Sequence, residues 1–217
     1  MKRCLIVFAK EPERGQVKTR LRPQLSLAQC AHLYKAFLRD TIEIAKATQS
    51  DEKILAYQAK SKPAYLKKIT QGFRFYKQQG KDLGERMDQA LKFARKNGAS
   101  RAVIVGTDAP TLPARFIEEA FSKLEKTDLV LGPSDDGGYY LIGTKRPLPG
   151  LFKGVKWSSR RALRDTVSNA RALRKKVALL DEWYDVDEQK DFLLLKRKLK
   201  RTKNRAVAKW TRRYLKI

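Results

Sequence analysis

Five short polar segments hold the residues able to grip or transfer an activated phosphate. Residues 10–23, K-E-P-E-R-G-Q-V-K-T-R-L-R-P, gather Lys10, Arg14, Lys18, Arg20 and Arg22 around Gly15. Cations beside a glycine that admits close backbone approach suit a di- or triphosphate. The run has neither the spacing of a P-loop nor G-x-G-x-x-G, and a solvated basic loop would read the same way. Residues 103–110, V-I-V-G-T-D-A-P, end an apolar run on Asp108. A carboxylate there suits Mg²⁺ or Mn²⁺, held by one or two carboxylates together with substrate phosphates; an Asx turn is the plainer role.

Residues 132–143, G-P-S-D-D-G-G-Y-Y-L-I-G, set Asp135 and Asp136 beside Gly137 and Gly138, two glycines that also fit a hairpin turn. Asp185-Val186-Asp187 precedes the last helical stretch. Asp185 with Glu188 fits a capping box, Asp187 could cap instead, and a second metal ligand is the alternative. Residues 79–87, Q-G-K-D-L-G-E-R-M, form a strand-to-helix loop with Gly80 and Gly84.

A scaffold must bring these segments together. The apolar run 4–9 reads as a fully buried strand, and Ser26 can cap an amphipathic helix over 27–48. Strands follow at 53–59, 73–76, 102–105, 129–131, 139–142 and 177–180. Helices are expected at 64–69 (opened by Pro63), 83–96, from Pro113 onward, at 158–171 and from Asp187 onward. Alternating strands and helices predict an α/β sandwich with a mainly parallel sheet. Ligands of such sheets bind beyond the carboxyl ends of the strands, where the polar segments fall. Lys18 and Arg20 flank Thr19, so an extended stretch would point both the same way. His32 reads as a surface residue, and Trp157, Trp183 and Trp210 as packing residues.

Composition narrows the function classes. The chain has 217 residues, 42% hydrophobic, enough for one sizeable core. Two cysteines and one histidine make a structural zinc site or an imidazole-dependent hydrolase poor fits. Lys and Arg number 49 against 23 Asp and Glu, a formal charge of +26, which implies anionic partners. Residues 196–217 hold eleven Lys and Arg and no acid. This tail is expected to form a basic helical extension to a body of residues 1–195. Accessory contact with RNA or anionic lipid is one role for it; packing of an apolar stripe at Val207, Trp210, Tyr214 and Leu215 is another. The run 4–9 is too short for a signal core or a membrane span, so a cytoplasmic location is expected.

The order F-A-K-x-P-x-x-G-x-V-K-T-R-L, D-L-G-E-R-M, G-T-D-A-P, D-G-G-Y-Y-L-I-G, F-x-G-V-x-W-S and D-V-D resembles the small bacterial glycosyltransferase-like family called radical-SAM/selenodomain-associated transferases. That family lies within the nucleotide-diphospho-sugar transferase superfamily. The resemblance spans residues 4–195; more distantly, the first segment resembles the 2-phospho-lactate guanylyltransferases. It implies a glycosyltransferase A-type Rossmann-like three-layer sandwich. It also implies that Lys10, Arg14, Gly15, Lys18 and Arg20 meet the nucleotide phosphates, and that Gly84, Glu85 and Arg86 lie near the nucleoside. Asp108 would be the metal aspartate with Asp187 as second ligand, and Gly137, Gly138 and Tyr139 would meet the acceptor. Asp136 is the candidate base, with Asp108 and Lys18 as the other catalytic groups. The chain departs from the family pattern at Glu13, at Ala109 and after Asp187.

The expected activity is Mg²⁺- or Mn²⁺-dependent transfer from a nucleotide sugar. Nucleotidyl transfer from a nucleoside triphosphate stands nearly level with it. A nucleic-acid-binding protein is the reading of another class. It rests on charge, and the body lacks an RNP, KH or zinc-finger pattern.

Overall fold

The computed structural model describes residues 1–217. Seven strands form one sheet: β1 (Arg3–Lys10), β2 (Glu52–Gln58), β3 (Arg74–Lys77), β4 (Arg101–Val105), β5 (Leu129–Pro133), β6 (Tyr139–Thr144) and β7 (Val177–Leu179). Their spatial order is β3-β2-β1-β4-β6-β5-β7. Only β6 runs against its neighbours, β4 and β5; all other pairs are parallel.

Seven helices complete the chain: α1 (Leu27–Ala47), α2 (Ala64–Ile69), α3 (Leu83–Lys96), α4 (Ala114–Lys123), α5 (Ala162–Ala172), α6 (Gln189–Arg201) and α7 (Lys209–Leu215). Side chains alternate across the strands, so each face of the sheet has its own core. Leu5, Val7, Leu55, Val103 and Val105 pack with α1, α2, α4 and α6. Cys4, Ile6, Ile54, Ala102 and Ile104 pack with α3 and α5. The result is the expected three-layer α/β sandwich.

Local chemistry sets the helix starts. Ser26 and Gln29 form a reciprocal capping box on α1, and Asp82 accepts the Glu85 N–H at the start of α3. β1 lies between β2 and β4. The chain therefore leaves the centre of the sheet in both directions, and the crevice between β1 and β4 opens at their carboxyl ends.

The expected division at residue 195 falls inside α6, and α7 docks on α1. The Asp40 carboxylate of α1 accepts from the N–H groups of Trp210 and Thr211 (2.8 and 2.9 Å) and from Thr211 Oγ1 at 2.6 Å. Arg39 lies 4.3 Å from the Trp210 ring centre. Val207, Tyr214 and Leu215 pack against the core. No helix is long and apolar enough to cross a membrane.

Candidate active site

A cleft of about 780 Å³ opens at the carboxyl ends of β1 and β4. The segment between β7 and α6 forms one wall. Tyr184 and Val186 are buried, so the alternating Asp185 and Asp187 face the cleft. Two hydrogen bonds fix this segment: Val186 N–H donates to Asp108 O at 2.9 Å, and Thr111 Oγ1 donates to the Tyr184 hydroxyl at 2.7 Å. The α6 cap comes from Asp191, whose Oδ2 accepts the Asp187 and Glu188 N–H groups at 3.1 and 2.8 Å. The expected capping by Asp185 or Asp187 does not occur, and both carboxylates remain available to the cleft.

Lys18 stands at the centre. Its side chain is 3% exposed and forms ion pairs with Asp108 and with Asp187, the latter at 2.9 Å. Its ammonium also donates to Val186 O at 2.8 Å. Burial works against the charge on Lys18, but Asp108 and then Asp187 outweigh it and hold the group protonated above its ordinary range. Burial likewise opposes ionisation of Asp187, yet the adjacent Lys18 ammonium holds that carboxyl below its usual value. Asp185 forms no ion pair; burial first, then the charges of Asp108 and Asp187, push its carboxyl well up, and the Lys18 charge offsets this only in part.

Lys18 adopts a left-handed conformation (φ 51°), and Thr19–Leu21 is a turn of 3-10 helix. The expected extended pairing of Lys18 with Arg20 is therefore wrong: Lys18 turns inward, while Arg20 lines the exposed side of the cleft. The preceding loop is tied down by its acids. Glu11 accepts the Tyr65 and Leu66 N–H groups at the start of α2, and Glu13 binds Ser61. Tyr34 fastens β1 to β4, since its hydroxyl accepts the Lys10 N–H at 3.0 Å and lies 2.8 Å from Thr107 Oγ1.

Of the residues singled out in the sequence, Lys10, Lys18, Arg20, Arg86, Asp108, Asp136, Gly138, Tyr139 and Asp187 line this cleft. Arg14, Gly15, Gly84, Glu85 and Gly137 do not. Arg14 is exposed away from it. Glu85 Oε2 accepts the Lys81 N–H within the α3 cap. Gly84 is a packing notch: a Cβ there would stand 2.6 Å from Trp157 Cζ2 and 2.7 Å from Phe152 Cβ. Gly137 (φ 84°) sits against the Arg160 backbone, where a Cβ would come within 2.4 Å of a carbonyl oxygen. Asp136 Oδ1 accepts from Ser134 Oγ at 2.5 Å and from Gly138 N–H at 2.9 Å, which leaves Oδ2 unengaged. Tyr139 offers its ring, edge-on to Trp157, while its hydroxyl is buried.

The cleft also takes in residues that the sequence reading passed over: Gln58 and Gln78 at the ends of β2 and β3, Ser158, Ser159 and Arg160 before α5, and Lys190. The position just after a strand was a readable signal for Gln78. Arg160 carried none, because the helix was expected to begin at Ser158 and begins instead at Ala162. No three acidic, histidine or cysteine side chains converge tightly enough to hold a metal alone. Asp108 and Asp187 supply two carboxylates on one point, the set a hard divalent ion uses when substrate phosphates complete its shell.

Sheet order, crevice and layer arrangement define an α/β fold of the Rossmann-like, nucleotide-diphospho-sugar transferase kind. The chain belongs to the family described as "Uncharacterized protein conserved in bacteria (DUF2064)", whose pattern matches residues 41–159. A crystal structure from Desulfovibrio desulfuricans, provisionally named a nucleotide-diphospho-sugar transferase, is 33% identical with a TM-score of 0.90. It covers 100% of this chain and 95% of that one. The 4-diphosphocytidyl-2C-methyl-D-erythritol synthase of Anaerococcus prevotii shares the fold at 12% identity and a TM-score of 0.61, covering 91% of this chain and 96% of that one. The Mycobacterium tuberculosis protein Rv0371c, crystallised with manganese, does so at 15% identity and 0.55, covering 93% and 100%. Comparison with curated proteins returns no match.

Proposed function

We propose that the protein is a divalent-cation-dependent transferase that binds a nucleotide sugar across the β1–β4 crevice and passes the sugar to an acceptor. The observation that carries this reading is the meeting of Lys18 with Asp108 and Asp187 in a cleft whose cations outside any ion pair are Lys10, Arg20, Arg86 and Arg160. The provisional name of the Desulfovibrio relative supports it, and the manganese in Rv0371c supports a divalent ion.

Asp108 and Asp187 would hold Mg²⁺ or Mn²⁺, which when bound neutralises charge on the departing diphosphate. Lys10 and Arg20 grip the phosphates, and Gln58, Gln78 and Arg86 face the nucleoside. Gly138 and the Tyr139 ring border the acceptor. Asp136 Oδ2 takes the proton of the acceptor hydroxyl as its oxygen attacks the anomeric carbon and the bond to the diphosphate oxygen breaks. The cations of the loop after β1, of which Lys10, Lys18 and Arg20 line the cleft, favour a second reading. In nucleotidyl transfer the acceptor attacks the α-phosphorus of a triphosphate and pyrophosphate departs; the name of the Anaerococcus relative points the same way. The proposal places the chemistry in residues 1–195 of a cytoplasmic enzyme. It gives the exposed cations of the tail an accessory contact with RNA or anionic lipid.

The test incubates the protein and Mn²⁺ with panels of nucleotide sugars and nucleoside triphosphates, and measures nucleoside diphosphate or pyrophosphate released. Asp108→Asn should keep the melting curve and lose roughly 10²-fold or more in turnover, the scale of one strong electrostatic stabiliser. Pyrophosphate release would select the second reading. Normal turnover by Asp108→Asn would reduce Asp108 to a turn residue. Failure of every nucleotide to bind would overturn both readings.

A further inference from the structure

Lys18 has no hydrogen left for a phosphate. An ammonium carries three donors, and these meet Val186 O at 2.8 Å, Asp187 Oδ1 at 2.9 Å and Asp108 Oδ1. The Phe37 ring lies 5.5 Å behind the ammonium. The two aspartates, by contrast, are 43% and 41% exposed, and the lysine contacts Oδ1 of each. A lysine in this arrangement cannot grip phosphate until it gives up an acceptor. A divalent ion cannot share the two carboxylates with it at low cost, because like charges a few ångströms apart inside a cleft repel strongly. The two carboxylates are also too few to strip a divalent ion of its water without other ligands.

We propose that Lys18 is the exchangeable counter-ion of the cleft. In the nucleotide-free protein it holds Asp108 and Asp187 and keeps divalent cations out. It turns to the phosphates only when cation and polyphosphate arrive together. The inference rests on the transferase reading for its polyphosphate, and it adds a definite order: the true ligand is the cation–polyphosphate complex. Metal and phosphate affinities are then coupled through one side chain, and by linkage each must raise the other by the same factor.

The experiment is titration calorimetry of Mn²⁺ alone, of inorganic pyrophosphate alone and of the two together, on the full chain. Loss of the Mn²⁺ electron-spin resonance signal on binding serves as a second readout. Wild type should bind Mn²⁺ alone weakly and gain tenfold or more in Mn²⁺ affinity when pyrophosphate is present. Lys18→Met should bind Mn²⁺ alone at least tenfold more tightly than wild type, since the carboxylates lose their resident cation. Most of the pyrophosphate coupling should vanish with it. Lys18→Gln, which can still donate to Val186 O, covers the case in which the methionine variant misfolds.

Mn²⁺ binding by the folded variants no tighter than by wild type would overturn the proposal, and so would intact coupling without the lysine. Wild type that takes pyrophosphate but never Mn²⁺ would show Lys18 to be a fixed replacement for the metal, which also overturns it. The Mn²⁺-alone comparison uses no nucleotide. It can therefore succeed even if nucleotide sugars and triphosphates fail to bind, and it separates this inference from the transferase reading.

Discussion

Gly84→Ala separates two explanations of the D-L-G-E-R-M segment. In the structure the missing side chain makes room for Trp157 and Phe152; a Cβ would lie 2.6 and 2.7 Å from their atoms. Ordinary carbon contacts are about 3.5–4.0 Å, so the two residues must each retreat by roughly 1 Å. Overpacking of this kind costs about 1–3 kcal/mol. Alanine returns up to about 1 kcal/mol by suiting a helix better than glycine. Gly84 lies in the first turn of α3, so the return is at the low end, about 0.5 kcal/mol; the net loss is about 0.5–2.5 kcal/mol, or roughly 1–10 °C in melting temperature for a domain of this size.

Trp157 also lines the cleft, so its retreat should weaken nucleotide binding. A misplacement of this size supports an estimate of roughly threefold to tenfold. Gly84→Val should lose more on both counts. Thermal unfolding and calorimetric titration with a nucleoside diphosphate and Mn²⁺ provide the two measurements. If Gly84 were instead kept small so that a nucleoside could lie against it, alanine would leave the melting temperature unchanged or raised and only binding would fall. That result would refute the packing argument.

Asp40→Ala should lower stability by about 2–4 kcal/mol, because it leaves the buried Thr211 N–H and hydroxyl without an acceptor. Amide exchange should show α7 released first, and an unchanged exchange pattern there would count against this account. Burial pushes the Cys4 thiol up to about 12 and also raises Cys30, so both stay protonated at pH 8. Neither should react with a thiol reagent in the native protein, whereas two equivalents should react after denaturation; a fast native reaction would contradict the burial. Lys203, Arg205, Lys209 and Arg213 are all exposed, and their joint replacement by Gln should shorten heparin retention with little change in melting temperature. Retention equal to wild type would place the anion-binding surface elsewhere.

Much of the fold could be read directly. Strands buried on both faces appear as unbroken apolar runs, as at Leu5–Ala9 and Val103–Val105, and their ends locate the polar segments. Asp108 was visible for that reason. The partners of Lys18 were not, because its three acceptors come from residues 108, 186 and 187, and nothing local signals a contact that distant. The same distance hid the docking of Thr211 on Asp40. The late start of α5, at Ala162, has no local signal either. Residues 157–161 have adequate helix-forming side chains, yet they turn along the cleft with Ser158 at φ 57°. Gly84 is a further case, because a glycine that makes room for a neighbouring tryptophan has the same local signature as one that admits a ligand.

The placement of acids separates the enzyme reading from the nucleic-acid one. With 49 cations against 23 acids, a groove lined at random would be strongly basic, and such a groove binds any polyanion through its phosphates. The cleft is not of that kind. Asp108, Asp135, Asp136, Asp185, Asp187, Glu188 and Asp191 line it beside Lys10, Lys18, Arg20, Arg86, Arg160 and Lys190. Seven acids thus stand beside six cations in this cleft, in a chain where cations outnumber acids by about two to one. A bare phosphate backbone would meet more repulsion there than on the outer surface, where cations are in excess. Under the proposed reading, a polyphosphate that brings its own divalent cation would meet less repulsion, with the aspartates facing the cation and the lysine and arginines facing the oxygens. On charge alone, the cleft suits a small ligand of both signs better than it suits a bare polyanion.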